Sequence, residues 1–290
     1  MPAFFMGPPH LCANLSAQMN SHAPALRFAA NLSWLYTDLP FLDRLAAAAA
    51  DGFAGFECLF PHEQPRQALQ DAIQQSGMSA VLFNAAPGDW AAGERGLACL
   101  AGREDDFRTS VLNALDLATA LSCPRIHVMA GLSSESERAA AWSRYEQRID
   151  WAADQAGRTG KTIMIEPING RDMPGYLLQR QSDAHALVER IASPHVQVQM
   201  DLYHCQIVEG DVTTKLRQWI PSGRVGHLQI AAIPDRGEPD QGELSYAHVF
   251  AELRALQWAG WIGCEYRPRQ SGPQGTSAGL GWLRRLQHQL

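Results

Sequence analysis

From Arg27 onward, short and almost continuously apolar runs alternate with longer amphipathic ones. The short runs are RFAANL, AGFECLF, AVLFN, RIHVM, TIMIE, VQVQM, RVGHLQI and WIGCE. Runs of this kind belong to parallel strands covered by helices, where neither sheet face meets water and polar alternation is lost. Between them, FLDRLAAAAADG, QALQDAIQQSG, FRTSVLNALDLATAL, SERAAAWSRYEQRIDWAADQAGRTG, QSDAHALVERI, VTTKLRQWI, YAHVFAELRALQWAG and AGLGWLRRLQ predict helices. Gly52 and Gly77 stand just ahead of strands, where a helix C-cap belongs. Eight such units predict a closed (β/α)8 barrel. A doubly wound open sheet also alternates strands and helices, but no GxGxxG or phosphate loop follows the first strand.

Polar residues at the tails of four of these runs point to chemistry. Glu166 ends IMIE, Asp201 ends VQVQMD, Gln229 lies in VGHLQI and Glu265 ends WIGCE, at intervals of 35, 28 and 36 residues. Each interval is about one strand, loop, helix and loop, so the four fall on one rim, at the strand C-termini where barrels carry their active residues. A lone buried carboxylate is costly unless paired, protonated or bound to a cation. Three acids and an amide oxygen therefore form a cluster suited to a hard divalent ion such as Mg or Mn.

Each residue also has a plainer reading. Glu166 could be satisfied by a loop arginine such as Arg171, and Asp201 could cap a helix. His204 and His127 could be packed core histidines. His227 and Gln229 lie two apart on one strand and share a face, so if Gln229 points inward His227 does too, deeper in the core. Glu57, inside FECLF, reads as a supporting acid or the partner of a basic residue. The tryptophans on helical stretches read as packing, and Gly88, Asp89 and Trp90 as a turn-like loop that could act as a lid.

Composition narrows the classes. The chain has 290 residues, and 24 basic against 30 acidic residues give a net charge of -6. Without a dense Lys/Arg run, a nucleic-acid partner is disfavoured, because backbone binding relies on clustered cations. Six scattered cysteines with no CxxC pair read as reduced thiols of a cytoplasmic protein. No apolar run reaches the roughly 18 residues of a membrane span. Residues 1–26 lack a secretory pattern and read as a disordered extension, or as an over-called start with Met19 nearer the true one. Residues 27–290 then form a single barrel domain, whose apolar helix faces are compatible with a homo-oligomer.

The motifs ANLSWLYTDLPFLDR, LFNAAPGDWAAGERG, IEPINGRDMPGY, QMDLYHCQIVEGD, HLQIAAIPDRGEPDQGELSY and GCEYRPR together resemble the hydroxypyruvate isomerase family, including its relatives that isomerise 2-oxo-tetronates. The resemblance runs from Arg27 to about Trp282 and extends to the larger xylose-isomerase-like barrel group, which includes sugar epimerases and apurinic endonucleases. It implies a hydroxypyruvate isomerase, with a 2-oxo-tetronate or related keto-sugar isomerase as the alternative. An apurinic-site nuclease and a non-catalytic sugar-binding barrel are remoter rivals. The implied substrate is a small α-keto acid or keto-sugar acid, and the implied route passes through a metal-stabilised enediolate. By the same resemblance, Glu166 and Glu265 are the acid and base, Glu166, Asp201, Gln229 and Glu265 surround the metal, and His127, Arg171, His204 and Arg236 lie near the substrate. Two loops depart from the family pattern. PDRGEP stands where PGRHEP is usual, placing Asp235 for Gly and Gly237 for His, and His62 in LFPHE stands where Tyr is usual.

Overall fold

A computed structural model describes residues 24–287, so most of the expected extension lies outside the described residues. Leu26, assigned by sequence to that extension, is buried in the core. Eight strands form one closed parallel barrel in chain order: β1 Arg27–Asn31, β2 Gly55–Cys58, β3 Ser79–Asn84, β4 Arg125–His127, β5 Thr162–Ile165, β6 Val196–Asp201, β7 Val225–Ile230 and β8 Trp261–Cys264. Closure is made by β8 returning to β1, with Phe28 beside Ile262 and Ala30 beside Cys264.

The outer layer comprises α1 Asp43–Ala50, α2 Arg66–Ser76, α3 Glu104–Ala120, α4 Arg138–Arg158, α5 Gln181–Ile191, α6 Leu202–Val208, α7 Val212–Trp219, α8 Tyr246–Ala255, α9 Gly275–Gly279 and α10 Gly281–Gln287. Amphipathic faces drive this layer. On α3, Phe107, Val111, Ala114, Leu115 and Ala118 recur at helical spacing and are buried, while Glu104, Asp105 and Asp106 complement the positive end of its dipole. α2 stops at Gly77, whose φ of +67° a residue with a Cβ adopts only with strain.

Strand parity divides the core. Ala30, Ile163, Ile165, Val196 and Val198 face the helices in the large apolar cluster. Their neighbours of opposite parity, Ala29 and Met164, join Val81 and Leu82 in a smaller cluster, which therefore fills the barrel interior. Gly226 leaves the room that the Met164 side chain uses, since a Cβ there would lie 2.8 Å from the Met164 methyl. The interior is thus solid below its polar rim. Cys58, Cys99, Cys123, Cys205 and Cys264 are buried and free, whereas Cys12 lies outside the described residues.

Candidate active site

Every strand puts a polar residue at or beside its C-terminal end. These are Asn31, Glu57, Asn84, His127, Glu166, Asp201, Gln229 and Glu265, and all eight are buried. Glu166 directly follows β5, where Pro167 has no amide hydrogen with which to continue the ladder. Glu265 directly follows β8, and Asp201 ends β6.

The two oxygens of Asp201 stand in different surroundings, and the capping reading is met by one of them. Oδ1 accepts the Tyr203 backbone N–H at 2.8 Å and caps α6. Oδ2 is buried without a hydrogen-bond partner, 3.6 Å from His204 Nε2 and 3.8 Å from Arg236 Nη2. Glu166 Oε1 is likewise buried and unpartnered. Glu265 is held by three donors: Oε1 accepts Arg236 Nη2 at 2.5 Å and keeps a lone pair, and Oε2 accepts Gln229 Nε2 at 2.7 Å and Asn31 Nδ2 at 3.0 Å.

Burial dominates the electrostatics. Desolvation, then the charges of Glu265 and Asp201, hold the Glu166 carboxyl well above its usual range. Desolvation pushes Glu265 up to about 8 and Asp201 up to about 6, with Arg236 opposing both. Burial keeps both nearby imidazoles neutral, His127 lowered to about 3 and His204 lowered well below its ordinary value. Against three clustered acids the immediate counter-charge is Arg236, sandwiched between the rings of Trp34 and Tyr203 at 4.5 and 4.7 Å.

Two orphaned carboxylate oxygens in a cluster short of positive charge are a fit for a divalent cation. Among the described residues, Glu166, Asp201 and His204 bring ligand atoms within 4.8 Å of one another. The histidine is the weakest of the three. Its Nδ1 faces Asn169 Nδ2 at 2.6 Å and the Asn169 backbone N–H at 3.4 Å. The Asn169 amide is itself oriented by Asp172, whose backbone N–H donates to Asn169 Oδ1 at 2.8 Å. With Nδ1 accepting, the hydrogen of the neutral ring sits on Nε2, facing the acids. His204 is therefore built as a donor, and the oxygens are the better ligands. Gln229 Oε1 accepts Gln199 Nε2 at 2.6 Å and keeps a second lone pair.

A cavity of about 580 Å³ opens above the rim and is lined by Glu166, Glu265, His127, His204, Arg171 and Arg236, together with Trp34, Trp90, Arg95, Gln199, Tyr203 and Arg267. Six of the eight residues picked out by sequence thus meet in one space, and Asp201 and Gln229 join it through direct contacts with the others. Arg171 sits at the mouth, its side chain half exposed and Nη2 3.3 Å from the Tyr203 hydroxyl. Reading the sequence passed over Asn31, Gln199 and Asn169. The first two carried a usable signal: Asn31 ends its strand as the chosen acids do, and Gln199 lies two residues before Asp201.

The family model described as a xylose isomerase-like TIM barrel matches residues 45–286. The 2-oxo-tetronate isomerase of Cupriavidus necator is 53% identical, covering 89% of this chain and 97% of that protein. The hydroxypyruvate isomerase of Escherichia coli is 38% identical over 89% of this chain and 98% of its own length. A crystal structure described as an AP endonuclease, family 2, from Brucella melitensis superposes with a TM-score of 0.86 at 43% identity, covering 90% of this chain and 98% of that one.

Proposed function

The chain belongs to the xylose isomerase-like TIM barrel family, and from that premise we propose that it is a metal-assisted isomerase of short 2-oxo acids, with 2-oxo-tetronate favoured and hydroxypyruvate second. The carrying observation is that two buried carboxyls of raised proton affinity, Glu166 and Glu265, line one cavity with two neutral imidazoles and several arginines. The preference for the four-carbon acid rests on the name of the relative at 53% identity and on a cavity with room beyond three carbons.

The reaction moves one proton between adjacent carbons and one between their oxygens, turning a ketone beside a hydroxyl into a hydroxyl beside a new carbonyl, which is a ketone in the four-carbon acid and an aldehyde in the three-carbon one. One glutamate removes the proton from the hydroxyl-bearing carbon, and the other carboxyl delivers a proton to the former carbonyl carbon, through an enediol stage. Burial that raises a carboxyl's proton affinity, as at Glu166 and Glu265 in the metal-free protein, suits both halves of that exchange, and a bound cation would draw the affinity back down. His204, neutral with its hydrogen on Nε2, donates to a substrate oxygen, while His127, whose Nδ1 hydrogen is given to Asn84 Oδ1 at 3.3 Å, offers Nε2 as the acceptor of a substrate hydroxyl. Neither adds charge, and Arg171, Arg236 and Arg267 offset the repulsion between the substrate carboxylate and the acidic rim. Glu166, Asp201, Gln229 and Glu265 would hold a divalent ion, Mg or Mn, which when bound polarises the carbonyl and stabilises charge on the neighbouring oxygen.

A nuclease reading is suggested by the description of the Brucella structure. The net charge of -6 and one compact group of ligand atoms among the described residues favour the isomerase, because phosphodiester hydrolysis draws on clustered cations and often on paired metals.

The test is proton exchange followed by NMR in heavy water, with Mn or Mg present, on 2-oxo-tetronate and hydroxypyruvate. The protein should incorporate deuterium and form the isomer, while Glu166→Gln and Glu265→Gln lose about 100-fold to 10,000-fold in rate. If the metal-loaded wild type exchanges neither compound, the proposal fails.

A further inference from the structure

Glu57 lies behind the rim, and nothing in the reaction just described uses it. Its carboxylate is 1% exposed and reaches from β2 across to β7 and β8. Oε1 accepts Asn31 Nδ2 at 2.9 Å and Gln229 Nε2 at 2.7 Å. The same two amide nitrogens donate their remaining hydrogens to Glu265 Oε2. Two carboxylate oxygens and two NH2 groups therefore form a closed square.

Glu57 Oε2 stands 2.6 Å from His227 Nε2. A carboxylate only accepts, so the ring hydrogen is on Nε2, and Nδ1 is left buried without a partner. The site for this carboxylate is built into the neighbouring strand as well, because a methyl group at Gly263 of β8 would overlap both Glu57 oxygens.

The square has one consistent orientation. Turning either amide over would set its oxygen against two carboxylate oxygens, a buried contact without a hydrogen. With the amides fixed, Asn31 Oδ1 accepts the Ser33 backbone N–H at 3.1 Å and Gln229 Oε1 accepts Gln199 Nε2. Glu265 Oε2 is tied to two donors, and Oε1, beside Arg236, is the oxygen left to face the cavity.

We propose that Glu57, braced by His227, is a positioning residue that sets the amides of Asn31 and Gln229 and, through them, fixes which Glu265 oxygen meets metal and substrate. The role in turnover rests on the isomerase reading, but the role in metal binding does not. In Glu57→Gln the amide either sets its NH2 against the two NH2 groups or keeps its oxygen there and turns its NH2 to His227, displacing the ring hydrogen to Nδ1. In both cases the charged acceptor that holds the square is lost.

The experiment measures kcat, KM and Mn dissociation by calorimetry for wild type, Glu57→Gln, Asn31→Ala and the double variant, with the thermal midpoint as a folding check. Disrupted support of this kind costs roughly 10-fold to 100-fold in activity or metal affinity. The expected result for Glu57→Gln is a loss of that size in kcat, KM within about threefold, and weaker Mn binding. Because the two residues act as one unit, the double variant should lose less than the product of the single losses. Asn31→Ala removes the bridging donor and the acceptor of the Ser33 N–H while leaving both carboxylates in place, and decides the matter if Glu57→Gln does not fold. Folded single variants with wild-type kcat and Mn affinity, or a double variant whose losses multiply, would overturn the proposal. Should wild type itself fail to isomerise, the isomerase reading is lost, and the Mn titrations alone judge the square.

Discussion

At the residue scale, the buried ionisable groups make opposed predictions that pH separates. Glu265 titrates near 8 in the folded protein and Glu166 is held well above its usual value, against 4.5 for an ordinary glutamate. Over that interval the native state holds protons the unfolded chain has released, so the stability of metal-free protein falls as pH rises from about 4.5 through 8. His127 and His204, with lowered values, oppose this only below about 6.5. Between about pH 7 and 9 the fall continues, with the acids joined from about pH 8 by the buried thiols of Cys58, Cys99, Cys123, Cys205 and Cys264, which burial also raises. The thermal midpoint of chelator-treated protein should drop across that window, and the drop should shrink in Glu265→Gln; a flat wild-type profile would contradict the account. His185 supplies a separate acid-sensitive point. It stacks on Trp219 with ring centroids 3.9 Å apart, both nitrogens are buried without partners, and burial, then the nearby Arg224, lowers its value to about 3. Stability from keeping this ring neutral is complete above pH 6.5 and is lost as pH falls towards 3. At about 1.36 kcal/mol per unit, His185→Phe should reduce the loss between pH 8 and pH 5 by up to about 2 kcal/mol in urea unfolding.

At the element scale, the loop between β7 and α8 shows what a departure from a family pattern can mean. Arg269, after β8, reaches back to Asp235 at 3.1 Å, Asp240 at 2.8 Å and the Glu238 carbonyl at 2.8 Å. A Cβ at Gly237 would stand 2.9 Å from Arg269 Nε and 3.0 Å from Asp235 Oδ2. The two unusual residues thus belong together, since Asp235 binds the arginine and Gly237 leaves it space. Arg236 is held between them at φ +55°. Exposed ion pairs contribute about 1 kcal/mol or less each, so Arg269→Ala should raise KM roughly fivefold and change kcat little, as steady-state kinetics would register. The helix limits were less legible than the strands. α6 follows Asp201 with only seven residues, too few to show a helical period, and its clearest sign was the capping acid. The predicted final helix is divided at Leu280 into α9 and α10, where Gly279 and Gly281 weaken helix propagation.

At the scale of the whole molecule, the barrel was readable because most strand runs were almost continuously apolar, and the rim because polar residues stood at or near the ends of four of those runs. The same rule applied to the other four strands reaches Asn31, Glu57, Asn84 and His127. What it could not supply was partnership: no spacing in the sequence says that Glu57 and Glu265 share two amides, since that depends on barrel curvature and on the empty volume at Gly263. Metal loading should register globally. At a Mn concentration of about 100 times its dissociation constant, binding adds about 2.7 kcal/mol, which corresponds to a rise of roughly 5–10 °C in thermal midpoint for a domain of this size. Removal by chelator should reverse it and abolish turnover.

The contact between Asn31 and Glu265 joins positions 234 residues apart, and the strands that carry them close the barrel. A nascent chain on the ribosome therefore holds one of this acid's three donors from early in translation and none of the acid until the end. Activity becomes a reporter of completed folding: shortened chains lacking β8 should be silent, and refolding protein should regain turnover no sooner than its slowest spectroscopic phase.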